Sequence, residues 1–326
     1  MRSIQTSYTF PLSSVKPLNG LLRYRAYCLE ETRKALQTLS RRREHSPVGD
    51  AQLEPFGYVE DFEYLRCAES GSIFLAQLPN PADWARLLAE VSRYRHSPKA
   101  FHSDIEQSRS ETVYMPKLEW VESTLRLQGI SKPRVMEVTT PPSGFTPLLK
   151  GSDSFTEILT ADEMELVMER RGANDESKGN IAQAAVLLES LDRINDPVAL
   201  LRAVARQLVD GGLLFVTALV CSGFDMAVLG LRNVYLYPPD RTNCFSLRGL
   251  KLLLSRAGFT LLEVSTPGVL DVEIVQAHLN HGTVIPLSTF EQELLNADGE
   301  THEAFQKFLQ LRRMSSFARI VGRKQP

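Results

Sequence analysis

The chain of 326 residues contains no apolar run approaching the ~20 residues needed to cross a bilayer. Cysteine is scarce: Cys28, Cys67, Cys221 and Cys244 are too few and too scattered for a disulfide framework, so free thiols in a reducing compartment are expected. The first residues, Met1-Arg2-Ser3-Ile4-Gln5, lack the apolar segment of a secretory signal, which makes a cytoplasmic location the expectation. A formal charge of −2 gives no bulk electrostatic attraction for nucleic acid or an anionic membrane. Histidine is missing from the middle of the chain: all six lie at or before His102 or at or after His278. That stretch therefore lacks the side chain best suited to base work near neutral pH. No G-x-G-x-x-G follows any expected strand, which argues against a dinucleotide-dependent oxidoreductase. Internal repeats and low-complexity segments are absent.

What is present is enough for a packed core, with 43% hydrophobic and 23% charged residues and room for one large domain or two smaller ones. Near the start, Leu21 to Leu39 reads as a helix, ended by the charged run Arg41-Arg42-Arg43-Glu44-His45-Ser46-Pro47, a solvated helix end. Glu63 to Cys67 reads as a short strand, and Trp84 to Tyr94 as a helix with Trp84, Leu87, Leu88 and Val91 on one face. Arg93, Arg95, His96, Lys99 and His102, with Tyr94 and Phe101 among them, form a local basic cluster. It reads either as a connecting loop or as a surface for an anionic substrate or a partner.

From about residue 128, strands and helices alternate, as in an α/β domain with a doubly wound, mostly parallel sheet. The expected strands are Arg134 to Val138, Phe155 to Thr160, Ile181 to Leu188, Leu213 to Val220, Phe259 to Val264 and Ser316 to Val321. Between them, Asp162 to Arg171 is expected to be helical, and Asp196-Pro197 caps a helix carrying Val198, Leu201, Ala205 and Leu208 on one stripe. Gly211-Gly212 would release that helix into the next strand. Ser246 caps another helix with Leu250, Leu253 and Leu254, and Glu291 to Leu311 reads as one further helix.

Two of these segments carry a family likeness. Asn195-Asp196-Pro197 through Val209-Asp210-Gly211-Gly212-Leu213-Leu214 resembles the stretch after strand four of class I S-adenosylmethionine (SAM) methyltransferases. Ser246-Leu247-Arg248-Gly249-Leu250 through Ala257-Gly258-Phe259 is similar to the helix and sixth strand of the same family, and Thr266 to Val272 to a segment of one bacterial subset. The resemblance implies a Rossmann-like, SAM-methyltransferase-like sheet over residues 128–326. Before it would come a small N-terminal α+β region: a helical extension (1–55), then a zinc-ribbon-like unit and linker helix (56–127). In that subset the ribbon carries CxxCG knuckles. Arg66-Cys67-Ala68-Glu69-Ser70-Gly71 is similar to one, with Ser70 at the second cysteine. Cys28 and His45 do not complete four ligands, so no metal site is expected and packing would hold the unit.

The family's cofactor loop, E-x-G-x-G-x-G, aligns on Glu137 as Glu137-Val138-Thr139-Thr140-Pro141-Pro142-Ser143-Gly144. Thr139, Pro141 and Ser143 stand at the glycine positions and Gly144 arrives one place late. Glycines let backbone approach a ligand, whereas prolines fix φ and remove N–H donors. Forcing residues into incompatible backbone regions costs about 1–3 kcal/mol each. If SAM binds, the resemblance assigns it to Glu137, Thr139, Gly144, Asp162 (ribose) and Asp175 (adenine); by themselves Asp162 and Asp175 are ordinary cap or loop acids. Relatives carry Glu-His after strand four and a histidine in a later loop; here those positions are Asp192-Arg193 and Arg241. Asp192 is then the candidate base, given a raised pKa, although alignment alone can carry methyl transfer. Departures at the loop, at both histidine positions and at the knuckle favour a non-catalytic partner or scaffold subunit, bound to a protein such as an active methyltransferase. The alternative is an active SAM-dependent O- or N-methyltransferase with a small-molecule or glycan substrate. Neither membrane nor nucleic acid is an expected partner.

Overall fold

The computed structural model describes residues 10–49, 51–100, 102, 104–168 and 181–326. In the N-terminal region lie β1 (Ser40–Arg42), β2 (Leu53–Val59), β3 (Phe62–Cys67), β4 (Ile73–Leu75) and β5 (Gln77–Pro79). Then follow β6 (Arg134–Val138), β7 (Glu157–Ala161), β8 (Ala182–Leu188), β9 (Leu208–Leu219), β10 (Asn243–Cys244), β11 (Phe259–Ser265) and β12 (Phe317–Lys324). The large sheet has the order β11-β12-β9-β8-β6-β7. β7, β6, β8 and β9 run parallel, and β12 enters antiparallel between β9 and β11. This is a Rossmann-like α/β fold, as the strand and helix alternation required.

Side chains alternate across the pleat and so divide the core in two. Val135, Ala184, Val186, Phe215 and Val321 point to one face, where Leu118, Trp120, Val121 and Leu125 of the helix Met115–Leu127 cover them. Their neighbours Met136, Ala185, Leu187, Leu214, Val216 and Ile320 join the larger cluster on the other face. That cluster also takes in Leu21, Tyr24, Phe62, Phe74 and Trp84, so the N-terminal region and the α/β domain share one apolar core. A small sheet, β10-β4-β3-β2, makes the link covalent: its edge strand β10 comes from the loop after β9. Asn243 of β10 donates to the Leu191 and Ile194 carbonyls at 2.8 and 2.7 Å and accepts from Arg43 at 3.1 Å. β2 runs through the expected 55/56 boundary.

Local chemistry sets the helix ends. Asp196 accepts from Ala199 N–H and Pro197 opens the helix Pro197–Gln207; Ser246 accepts from Gly249 N–H and starts Leu247–Arg256. Two expectations need correcting. Helix Pro197–Gln207 ends before the glycines, and Asp210-Gly211-Gly212 is an irregularity inside β9, which pairs Ala182 with Leu208 but Ala184 with Leu213. Gly211 takes φ +75° there, and a Cβ on Gly212 would lie 2.8 Å from the Val209 carbonyl. The expected helix Glu291 to Leu311 is two, Thr289–Leu295 and Gly299–Arg312. Asp298 restarts it by capping Thr301 N–H, which a short side chain can do only outside the helix. Helix Glu163–Met168 is described to Met168.

At the knuckle-like turn, the Cys67 thiol, which burial alone would push up, is held below its usual pKa by hydrogen bonds with Ser46 and Ser70. Ser70 and Ser72 hydroxyls lie 3.0 Å apart, Ser72 Oγ accepts from Ser246 N–H at 2.9 Å, and Ser246 Oγ donates to the Ser70 carbonyl at 2.5 Å. Hydroxyls therefore tie this turn to the α/β domain. Among the described residues, no helix is long and apolar enough to cross a membrane.

Candidate functional site

A cavity of about 280 Å³ opens beyond the C-terminal ends of β6 and β8, where parallel sheets present their loops. Its floor is Glu137, Thr139, Gly144 and Glu189; Lys16, Arg109, Tyr114 and Lys117 come from the N-terminal region and roof it. The roof owes its shape to one wide turn of π-helix, Ser110–Tyr114, which leads into Met115–Leu127. Such turns recur at functional sites because they re-aim the side chains that follow.

Glu137 sits at the end of β6, 2% exposed. Both its oxygens are engaged: Ser143 Oγ donates to Oε1 at 2.6 Å and Thr146 Oγ1 to Oε2 at 2.5 Å. Burial raises its pKa, and the two hydroxyls oppose the rise. Thr139 lines the cavity while its N–H bonds Ala161 at 3.0 Å, so the chain stays paired with β7 as it enters the loop. Gly144 is covered by Tyr114: a Cβ there would meet the ring at 2.9 Å. Ser92 Oγ fastens the loop from outside, donating to the Thr140 carbonyl at 3.1 Å.

Of the other residues singled out from sequence, Arg95, His96, His102, Arg193 and Arg241 line the same cavity, whereas the candidate acids Asp162 and Asp192 do not. Asp162 lies outside the cavity wall and caps its own helix, accepting from Met164 and Glu165 N–H at 2.8 and 3.1 Å. Asp175 falls outside the described residues. Asp192 is fully buried, also away from the cavity wall, and accepts from Leu219 N–H at 3.0 Å. Arg241 lies 3.5 Å from that carboxylate. Burial still dominates and pushes the Asp192 pKa up to about 8. Of the basic cluster, Arg95 turns inward onto Tyr24 and Asp240, at 2.6 Å from each, whereas Arg93 pairs with Glu90 on the surface at 2.5 Å.

Sequence reasoning missed Glu189, Lys16, Arg109, Lys117 and Arg319. Glu189 stands directly after β8 in the left-handed region (φ 61°), a strained position for a residue with a Cβ. Its carboxylate meets Arg241 at 2.7 Å and Lys117 at 3.9 Å. Burial would raise its pKa; Arg241 foremost, then Lys117, Arg193 and Lys16, hold it well below the usual range. A position just past an apolar strand is where such a residue belongs in a parallel sheet, so it was findable. Lys117 had a subtler mark: it lies on the buried stripe with Val121, Thr124 and Leu125, where a lysine is out of place.

Burial lowers the pKa of both Lys16 and Lys117 to about 8. For Lys117, Glu189 opposes the fall while Arg109, Arg319 and Lys16 deepen it. Burial likewise brings Arg319 to about 10. The wall is therefore cationic in a protein whose overall charge is close to zero.

A Rossmann-like sheet with an antiparallel strand between β9 and β11, and a cavity at the ends of its parallel strands, defines a class of protein. Residues 134–264 match the family model described as a methyltransferase domain. That stretch is thus a methyltransferase domain, in line with the family resemblance of the sequence. No curated protein matches it. Among solved structures, the plantazolicin methyltransferase BpumL in complex with SAH is 16% identical, covers 74% of this chain and 95% of its own, and gives a TM-score of 0.42. The [4+2]-cyclase SpnF is 16% identical, with coverages of 63% and 80% and a TM-score of 0.34. The YcgJ protein of Bacillus subtilis is 13% identical, with coverages of 63% and 98% and a TM-score of 0.37.

Proposed function

We propose that this methyltransferase-family protein does not use SAM in its family's manner and works as a non-catalytic binding subunit. One observation carries the reading: the protein itself already uses the groups that would receive the cofactor. Ser143 and Thr146 occupy both oxygens of Glu137, and Tyr114 fills the space over Gly144. Asp162 is likewise engaged, capping the helix after β7. Proline at two successive loop positions leaves no N–H there to meet a carboxylate. Charge adds to this. SAM has a sulfonium as well as an amino group and a carboxylate, so it is a net cation and would enter a wall already rich in cations.

In this reading Glu137, Thr139 and Gly144 shape the cavity floor, Asp192 is a structural acceptor rather than a base, and the N-terminal unit offers the surface for a protein partner in the cytoplasm. A second reading is favoured by the position of the cavity at the strand ends. It is an active O- or N-methyltransferase on a small molecule or glycan, with SAM held by Glu137, Thr139, Gly144, Asp162 and Asp175 and Asp192 as base. Titration calorimetry with SAM and S-adenosylhomocysteine separates them. No heat and no thermal stabilisation at millimolar ligand is the expected result; micromolar binding would overturn the non-catalytic reading.

A further inference from the structure

The carboxylates and the cations on the cavity wall are in different states. Each carboxylate has a donor. Glu137 is held by two hydroxyls, Glu189 by Arg241, and Asp240 by Arg95. Asp225 accepts from Asn233 and Ser316, and Asp271 from Ser315, Gln306 and the Ser316 N–H. Four cations lack an ion pair as close as these. Lys16 Nζ lies over the Tyr235 ring, 4.1 Å from its centroid, and Glu189 and Asp225 act on its charge from farther away than a direct ion pair. The nearest carboxylate oxygen to Lys117 Nζ is that of Glu189 at 3.9 Å, which Arg241 holds more closely. Arg109 gives one hydrogen bond to the Val15 carbonyl at 3.2 Å. Arg319 is 8% exposed and packs over Trp120; Glu263 and Glu119 are the charges it feels, and its Nε has no hydrogen-bond partner among the described residues.

Lys117 is the common neighbour of the other three. Lys117 feels the charges of Arg109, Arg319 and Lys16 together, and Lys16 feels those of Arg241 and Arg109. A desolvated cluster of like charges is costly unless an opposite charge completes it. The two lysines and two arginines come from separate segments, the N-terminal turn, the short helix Glu106–Arg109, Met115–Leu127 and β12, so no local element forces them together. Lysine ammonium groups and arginine forks are the donors that recognise oxyanions.

We infer that this cavity binds a small molecule through a multiply charged oxyanion, a phosphate group or clustered carboxylates, seated among Lys16, Arg109, Lys117 and Arg319. The inference rests on reading the cavity as a binding site rather than a site of methyl transfer. The ligand's charge would replace the missing counter-charge, and Glu189 would hold Arg241 aside and fix the wall from which the lysines project. The Tyr114 and Phe317 rings, with centroids 5.7 and 5.2 Å from Lys117 Nζ, supply the apolar sides of the same seat.

The test is calorimetric titration of the full chain with inorganic pyrophosphate and, separately, citrate, against sodium chloride at matched ionic strength. Saturable binding of either at one site per chain supports the inference, and the tighter of the two names the oxyanion class. Absence of heat and of thermal stabilisation beyond the chloride control, in folded protein, overturns it. Lys117→Met should weaken binding about tenfold, the equivalent of one charge-assisted hydrogen bond. It should also melt higher than the wild type without ligand, because a repelled charge is gone; a residue with a purely structural role would not give that pair of changes. Unchanged affinity in Lys117→Met overturns the assignment, and Arg109→Gln serves the same purpose if the first variant does not fold. SAM titrated against the same protein separates the two readings. Pyrophosphate binding alone supports both, binding of both ligands sinks only the non-catalytic reading, SAM binding alone sinks both, and binding of neither sinks only the oxyanion seat.

Discussion

The floor and the roof of the cavity are built on opposite principles. On the floor, at the ends of the parallel strands, Glu137 is hydrogen-bonded within a few residues of itself, to Ser143 and Thr146, and Glu189 is held by Arg241. On the roof, Lys16 and Lys117 arrive from the N-terminal region without a close ion pair and share Glu189 with Arg241, while Arg109 donates only to a backbone carbonyl. Local satisfaction closes a site to ligands, whereas unmatched charge held in place by distant packing leaves one open. The comparison shows how one cavity at the strand ends can combine a locally satisfied floor with a charged roof.

If packing of the N-terminal region holds roof to floor, the largest effect should come from its anchor. Trp84 is fully buried and donates from Nε1 to the Arg193 carbonyl at 2.9 Å, beside the floor. Trp84→Ala should cost about 3–5 kcal/mol in a denaturant melt and abolish pyrophosphate binding together with it. A variant that stays stable yet loses the ligand would show that Trp84 positions the roof without holding the fold.

Removing the one shared acid tests the charge imbalance directly. Glu189→Gln takes from Arg241 its closest carboxylate and from Lys117 its nearest one, and should lower stability by about 2–4 kcal/mol, since one partner of a buried pair is lost. Pyrophosphate should recover more of the melting temperature in this variant than in the wild type. Equal recovery in both would mean that the anion sits elsewhere.

The smallest effect concerns the floor, and pH reveals it. Folded Asp192 keeps its proton up to about pH 8, whereas unfolded it ionises near its ordinary value of about 4. Across that window the unfolded chain holds fewer protons, so stability falls as pH rises and levels off above 8. Asp192→Asn keeps an acceptor for the Leu219 N–H and removes the titration. It should flatten the profile and gain roughly 1–3 kcal/mol near pH 8. Urea melts from pH 5 to 9 measure it, and parallel profiles would show Asp192 ionised in the folded protein.

The strands were legible because each is a short apolar run bounded by polar turns, and helix starts because Asp196 and Ser246 lie one residue ahead of an apolar stripe. The β9 irregularity was not legible: a Gly-Gly pair after a helix reads as its exit, and only pairing with β8 makes it a bulge. For the site, Glu137, Thr139 and Gly144 line the cavity because it opens at the end of β6 and over the loop that follows. Asp162 looks in sequence as much like a ligand acid as like a cap, and the choice is made by whether two amides lie within reach of its carboxylate.

By itself, then, the chain determined what depends on neighbours in sequence: the alternation of strands and helices, their caps, and the proline-bearing loop that departs from its family. The tertiary structure alone decided which charges meet. Lys16 and Arg319 stand some three hundred residues apart and line one cavity, as do Lys117 and Glu189, which lie in contact across 3.9 Å. Apolar periodicity says which face of an element is buried but not against what. Charge enters a folding core only as a cost, so the position of a buried lysine is fixed by the packing of the elements around it.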